Sequence, residues 1–355
     1  MMRRKKNDRE VNLLSEYNQK SYRVAAQKEK RRDSVQATYK LVRNVLVIGV
    51  VVGVSIYIAT MWFFQEVPMK EVNELDNDRI AEIIAEITKP ITYDEVAFRM
   101  NSEYALLINI TNDRTIFAHQ ADVQTYPASV TKIMTIIIGL ENGEMDESVT
   151  VNADFEELFL AGAMQSGFTY GEVRTLSEIL YAIMLPSGAE ATWSLANHVA
   201  GSYDAFVDLM NEKAQELGMS DTNFVTATGL HDDDHYTTAD DIAILMKYAL
   251  ANPEFREIFT AQTYELETPN SLGSTMHSTL FNVAPQTTFE GGEILGGRTG
   301  FTPLAGRCLA SLATNGIDEF ILITFGADDP DWEQTTHILD ALMIYEYFLE
   351  EGEDY

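Results

Sequence analysis

The 355-residue chain contains one cysteine, Cys308, so no disulfide can form within it and its stability must come from buried apolar surface. Histidine is sparse. His119, His198, His231, His235, His277 and His337 form no H-E-x-x-H pair. The run Asp232-Asp233-Asp234 beside His235 has no second ligand set at zinc spacing and reads as an exposed acidic turn, so neither a metal nor a cofactor is expected. Positive charge is also short: 25 Lys+Arg stand against 55 Asp+Glu, for a formal net charge of -30. The sequence shows no internal repeat and no low-complexity segment.

The charge is unevenly placed. The first 43 residues hold 13 of the 25 Lys+Arg and 5 of the 55 Asp+Glu, including Arg3, Arg4, Lys5, Lys6, Lys30, Arg31 and Arg32. Val45 to Phe64 then carries no charge at all, a length that crosses a hydrocarbon core of about 30 Å as a helix. Trp62 and Phe63 suit the far interface, and the basic flank places the tail in the cytoplasm with everything after Phe64 outside the cell. A cleaved secretory signal is disfavoured by the long charged preface and the lack of a small-x-small site. After Phe64 the remaining 50 acidic residues face 12 basic ones, about −38, a surface that repels nucleic acid and anionic lipid.

The expected organisation is a basic cytoplasmic tail (1–44), a transmembrane helix (45–64), a juxtamembrane stalk (65–90) and one domain (91–355). In the stalk, Ile80, Ile83, Ile84 and Ile87 fall at helical spacing before Pro90. Tyr104–Ile110 and Thr115–Phe117 read as strands around the turn Thr111-Asn112-Asp113. Helical patterns follow over 176–185, 189–199, 203–217 and 238–250, with Thr238 and Asp241 as a capping-box signature. Arg307–Ala313 and Glu319–Phe325 flank Asn315-Gly316 as a hairpin, and 332–349 reads as a closing helix. Strands at both ends with helices between imply an α+β domain whose antiparallel sheet joins early and late sequence.

The chemistry centres on Ser129 and Lys132. A serine hydroxyl is a weak nucleophile that needs a base within hydrogen-bond reach, and a residue three positions along a helix supplies that reach. The amine has to be neutral part of the time, which burial and nearby cations allow for Lys but not for Arg. Ile133, Ile136, Ile137, Ile138 and Leu140 make the following helix a buried one, so Lys132 starts a core element. Two further stretches carry candidate groups: Leu185-Pro186-Ser187-Gly188-Ala189-Glu190, and Gly297-Arg298-Thr299-Gly300-Phe301.

In order and separation these three stretches resemble the active-site motifs of serine D-alanyl-D-alanine carboxypeptidases, the low-molecular-weight penicillin-binding proteins. Thr228-Gly229-Leu230-His231-Asp232, His235-Tyr236-Thr237-Thr238-Ala239 and Phe301–Leu309 are similar to other segments of that family, and the resemblance runs from about Asp94 to Tyr347. It implies a β-lactamase/transpeptidase-like fold, an antiparallel sheet flanked by helices with a helical subdomain. It also implies hydrolysis of peptidoglycan stem peptides through an acyl-enzyme, with β-lactams as acylating inhibitors. On that resemblance Ser129 attacks the carbonyl of the penultimate D-alanine, Lys132 takes its proton and Ser187 relays a proton to the leaving amine. Arg298 and Thr299 receive the terminal carboxylate, Gly300 leaves the strand edge open, and the amides of Ser129 and Phe301 form the oxyanion hole.

Two positions depart from the family pattern. Ala189 stands where the second motif usually has Asn and cannot hydrogen-bond the substrate amide, a loss of about 1–3 kcal/mol. Arg298 stands where most relatives have Lys; it keeps the charge and excludes proton transfer there. These departures leave an alternative reading, a weakly active or non-catalytic wall-binding or regulatory protein. Intact Ser129 and Lys132 favour the enzyme, because a binding protein needs no matched nucleophile and base. Phe155-Glu156-Glu157-Leu158 does not match the deacylating glutamate loop of class A β-lactamases, so β-lactam hydrolysis is not expected. The carboxy-terminal β-rich domain and anchoring helix common in the family are not expected here, and the amino-terminal span is expected to anchor instead.

Overall fold

A computed structural model describes residues 96–97, 99–329 and 334–350. The elements begin with β1 (Tyr104–Asn109), β2 (Arg114–His119), a 3₁₀ turn (Ala128–Thr131) and α1 (Lys132–Asn142). They continue with β3 (Ser148–Thr150), α2 (Phe155–Leu160), β4 (Val173–Thr175), α3 (Leu176–Met184), α4 (Ala189–Ala200) and α5 (Tyr203–Leu217). Next come α6 (Ala239–Leu250), α7 (Pro253–Thr260), β5 (Thr263–Asn270), β6 (Gly273–His277), α8 (Thr279–Val283) and β7 (Thr288–Phe289). The last are β8 (Gly292–Thr302), β9 (Gly306–Thr314), β10 (Glu319–Ala327) and α9 (Thr336–Glu350). The sequence-based tail, transmembrane helix and stalk lie outside the described residues. Within them, no helix is long and apolar enough to cross a membrane.

The main sheet is antiparallel, with strand order β2-β1-β10-β9-β8-β7. Early and late sequence meet at β1 and β10, where Leu106 faces Ile323 and Ile108 faces Ile321. Because side chains alternate across a strand, each buried strand serves two layers. Leu106, Ile108, Ala310, Leu312, Ile321 and Ile323 join the large core shared with α1, α3, α4 and α6. The opposite pleats meet α9: Phe117 packs on Phe348 with ring centroids 5.2 Å apart, Phe289 stacks on Tyr345 at 5.4 Å, and Ser311 Oγ lies 3.0 Å from the Tyr345 hydroxyl. Cys308 is buried in β9 among apolar neighbours, and burial pushes its thiol up to about 12, which leaves it unreactive.

Local chemistry fixes the ends of the elements. Asn315 Oδ1 accepts from the amides of Ile317 and Asp318, and Gly316 takes φ 84°, closing the β9–β10 hairpin over four residues. Thr238 caps α6 by accepting from the Asp241 amide at 3.0 Å, but the reciprocal half of the expected capping box is replaced. The Asp241 carboxylate turns to the Asp221 amide and the Thr222 hydroxyl instead, tying the loop before α6 to the helix. A complete capping box occurs at Thr175 and Glu178, at the start of α3. From Ile133 to Ile138, α1 is buried on every side, so its first residue, Lys132, starts in the interior.

Candidate active site

Ser129 lies in the 3₁₀ turn and Lys132 is the first residue of α1, so the three-residue spacing is realised across the junction of two helix types. Lys132 Nζ sits 3.2 Å from Ser129 Oγ and donates to the Thr228 carbonyl at 2.5 Å. Ser187 Oγ lies 3.3 Å from Ser129 Oγ on the other side. Ser129 is half-buried, whereas Lys132 is 2 % and Ser187 5 % exposed, so Ser129 is the most open of the three side chains. Ser187 takes φ 69°, a left-handed conformation that turns its hydroxyl back toward Ser129 ahead of α4.

Arg298, on β8, binds the three stretches together. It is 0 % exposed. Its Nε donates to the Ser129 carbonyl at 2.9 Å, one terminal nitrogen donates to the Met184 carbonyl at 2.7 Å, and the other donates to Ser187 Oγ. The resemblance assigns Arg298 to an incoming carboxylate, and the structure shows each guanidinium nitrogen already engaged by the protein. The cation therefore acts on the site as a buried charge and a clamp. Because a guanidinium only donates, Ser187 Oγ must accept from it, and the Ser187 proton is directed elsewhere, with Ser129 Oγ in reach.

The electrostatics favour a neutral amine at Lys132. Burial holds its pKa well below the usual lysine range, the Arg298 charge pushes it the same way, and the Glu190 carboxylate opposes both. Burial also draws the Arg298 guanidinium down to about 9, which leaves it charged at neutral pH. Glu190 is 0 % exposed: its Oε1 accepts from the Ser166 amide at 2.8 Å, the Ser166 hydroxyl at 2.7 Å and the amides of Gly167 and Phe168, while Oε2 has no hydrogen-bond partner among the described residues. Removing that negative charge in Glu190→Gln should lower the Lys132 pKa further. The rise of acylation rate with pH should then shift to lower pH than in the wild type. A pH–rate profile that stays in place, or moves upward, refutes this coupling.

Thr299, Gly300 and Phe301 follow Arg298 along β8, opposite Leu309, Cys308 and Arg307 of β9. Thr299 Oγ1 donates to Thr279 Oγ1 at 2.8 Å, and the Arg307 guanidinium stacks 4.2 Å over the Phe301 ring. Gly300 is needed for a reason beyond an open edge: a Cβ there would come within 2.8 Å of the Ser129 amide nitrogen. The strand thus runs in contact with the turn that carries Ser129. β7 pairs with β8 only at Gly292 and Glu293, so among the described residues no strand covers the outer edge of β8 from Gly296 to Thr302.

Ala189 is buried in a small apolar cluster with Ala153 and Leu158, against Trp193 and Leu230. Beside it opens a cavity of about 540 Å³ whose walls include Leu158, Trp193, Tyr203, Thr228 and Leu230. Two participants escaped sequence reasoning. The Thr228 carbonyl is a backbone group that no residue type signals. Glu190 was visible only as the acidic first turn of a helix, where a solvated dipole partner is the usual outcome.

A model of the D-alanyl-D-alanine carboxypeptidase family matches residues 90–329. The chain belongs to that family. It is 33% identical over 248 residues to D-alanyl-D-alanine carboxypeptidase DacF of Bacillus subtilis (strain 168), covering 68% of this chain and 62% of the relative. It is 28% identical over 213 residues to the D-alanyl-D-alanine carboxypeptidase of Streptomyces sp. (strain K15), covering 57% of this chain and 72% of the relative. The match to DacC of Escherichia coli (strain K12) is 29% over 234 residues and spans 56% of that protein. The chain thus spans a little over half to about three quarters of these relatives. Among solved structures, the Streptomyces K15 DD-transpeptidase superposes with a TM-score of 0.60 at 25% identity, over 70% of this chain and 97% of that one. The α+β fold is therefore transpeptidase-like.

Proposed function

We propose that this family member is a serine-type D-Ala-D-Ala carboxypeptidase that trims peptidoglycan stem peptides through an acyl-enzyme. The observation that carries the reading is Ser129 Oγ held 3.2 Å from a buried Lys132 amine and 3.3 Å from Ser187 Oγ. In the first step Ser129 Oγ attacks the carbonyl carbon of the penultimate D-alanine and its proton passes to neutral Lys132. The tetrahedral oxyanion is met by the amides of Ser129 and Phe301, each such donor contributing about 2.7–4 kcal/mol. The C–N bond then breaks as protonated Lys132 gives its proton, relayed through Ser187, to the leaving D-alanine amine. Neutral Lys132 next takes a proton from the water that attacks the acyl carbonyl and returns it to Ser129 Oγ as the ester C–O bond breaks and the shortened peptide leaves.

The edge of β8 that no described strand covers suits an extended peptide backbone, and the cavity beside Leu158 and Trp193 suits the acyl-side chain of the peptide. Thr299 and the field of Arg298 favour a terminal carboxylate in a domain that is otherwise strongly acidic. The uncharged run 45–64, with its basic flank, supports a single-pass anchor that leaves the catalytic domain outside the cell. β-Lactams fit as acylating inhibitors, since their carbonyl meets the same nucleophile.

Mass spectrometry of the full chain after incubation with a penicillin tests the acyl step. A covalent adduct on Ser129, absent in Ser129→Ala, is expected, together with D-alanine release from a D-Ala-D-Ala peptide by the wild type alone. A folded wild-type chain that forms no adduct at long incubation and releases no D-alanine sinks the reading in favour of a non-catalytic wall-binding module.

A further inference from the structure

Ala128, immediately before Ser129, takes φ 46°, a left-handed conformation that is strained for a non-glycine residue and persists only where neighbours enforce it. The enforcing contacts form a chain. The Ala128 carbonyl accepts the Thr131 hydroxyl at 2.8 Å, and Thr131 Oγ1 lies 2.8 Å from His235 Nε2. Since the Thr131 proton is committed to Ala128, Thr131 Oγ1 must accept from His235 Nε2–H. The other ring nitrogen, Nδ1, accepts from the Val225 amide at 2.9 Å and faces the Thr226 amide at 3.3 Å. Both partners therefore demand the same neutral tautomer. Burial draws the imidazole down to about 4, so it keeps that form at neutral pH.

The segment gripped by Nδ1 is the one that carries the lysine's acceptor. From Val225 the chain runs to Ala227, whose carbonyl takes the Thr135 hydroxyl at 2.7 Å, and to Thr228, whose carbonyl takes Lys132 Nζ. It then reaches Gly229, where a Cβ would fall 1.9 Å from the Ala128 carbonyl oxygen. One side of the imidazole thus fixes the turn that aims Ser129, and the other fixes the backbone that aims Lys132. His235 is 2 % and Thr131 0 % exposed, and neither reaches the Ser129 hydroxyl itself.

We propose that His235 is a positioning residue for acylation, setting the Ser129–Lys132 geometry by joining the Ala128–Thr131 turn to the Val225–Gly229 segment through its two ring nitrogens. This rests on the acyl-enzyme reading above. Displacing either group by a fraction of an ångström slows proton transfer and attack without touching the surface that first meets the substrate.

The test is penicillin acylation of the full chain, resolved into a limiting acylation rate and an apparent affinity, with thermal midpoints measured in parallel. In His235→Ala and Thr131→Val the limiting rate is expected to fall about 10- to 100-fold, with affinity changed less than about threefold. His235→Gln presents an N–H near the Nε2 position and should recover most of the rate. His235→Asn replaces only the Nδ1 acceptor and should stay slow. The double variant Thr131→Val/His235→Ala should be no slower than the worse single one, because both break the same chain. A wild-type limiting rate in folded His235→Ala, or a folded His235→Gln as slow as His235→Asn, overturns the positioning role. If His235→Ala does not fold, the isosteric Thr131→Val and the Gln/Asn pair decide the matter. A wild-type chain as inert as Ser129→Ala overturns the acyl-enzyme reading and the inference with it, an outcome distinct from the others.

Discussion

Lys132→Arg is expected to cut the rate of penicillin acylation by about 10²–10⁴-fold, the range contributed by a positioned general base. The substitution keeps a positive charge and a hydrogen-bond donor at a buried position beside Ser129 Oγ and the Thr228 carbonyl. A role in which Lys132 merely neutralised charge or pinned Thr228 would survive it. A guanidinium cannot be deprotonated in practice, so a role as proton acceptor cannot survive. The companion variant Lys132→Met removes charge and base together and should be equally slow. The residual reaction of either variant should also lose the rise with pH that the depressed lysine pKa imposes on the wild type. Stopped-flow acylation across a pH series, with thermal midpoints to exclude misfolding, makes the measurement. Retention of rate within about threefold in folded Lys132→Arg would remove Lys132 from the base role.

Arg298→Met is expected to lower both stability and reactivity. The side chain fills a similar volume, but the Ser129 carbonyl, the Met184 carbonyl and Ser187 Oγ lose their donors in a fully buried setting. Unsatisfied buried acceptors cost about 1–3 kcal/mol each, so a loss of about 3–5 kcal/mol is expected in denaturant unfolding. The electrostatic consequence has its own sign. Arg298 pushes the Lys132 pKa down, so its removal raises that pKa and moves the onset of acylation to higher pH. Arg298→Lys separates the two effects. It restores the charge, and with it the pH onset, but its three N–H groups sit on one atom and cannot span acceptors spread around a guanidinium. Its stability should therefore fall between the other two. An Arg298→Met chain as stable as wild type with an unmoved pH onset would show that the clamp and the buried charge matter little.

Most of the secondary structure was legible because its determinants are local. Short, mostly apolar runs and a turn signal placed the β1–β2 and β9–β10 hairpins, and the apolar spacing over 203–217 coincides with α5 as found. The capping box expected at Thr238 and Asp241 is half-formed, because a tertiary partner, the loop at Asp221 and Thr222, competes for the Asp241 carboxylate. A cap read from sequence counts only the helix's own amides, and the structure supplies better-placed ones.

The sequence by itself determined that Ser129 and Lys132 meet, since they are three residues apart and a helical turn brings them together. It also determined the charge asymmetry, the lack of disulfides and the α+β order of strands and helices. Only the tertiary structure decided that Arg298 faces inward onto Ser129, 169 residues away in the chain, that Glu190 is a buried carboxylate opposing it, and that His235 spans 104 residues to hold Thr131. The reason is physical. Contacts between neighbours in sequence follow from helix and strand geometry, whereas the partners of Glu190 on α4 and of His235 in its loop depend on how distant elements pack, and the direction of Arg298 on β8 depends on which pleat of the sheet faces Ser129. That is settled by pairing register across the whole domain, where a shift of one residue would turn Arg298 out to the other face.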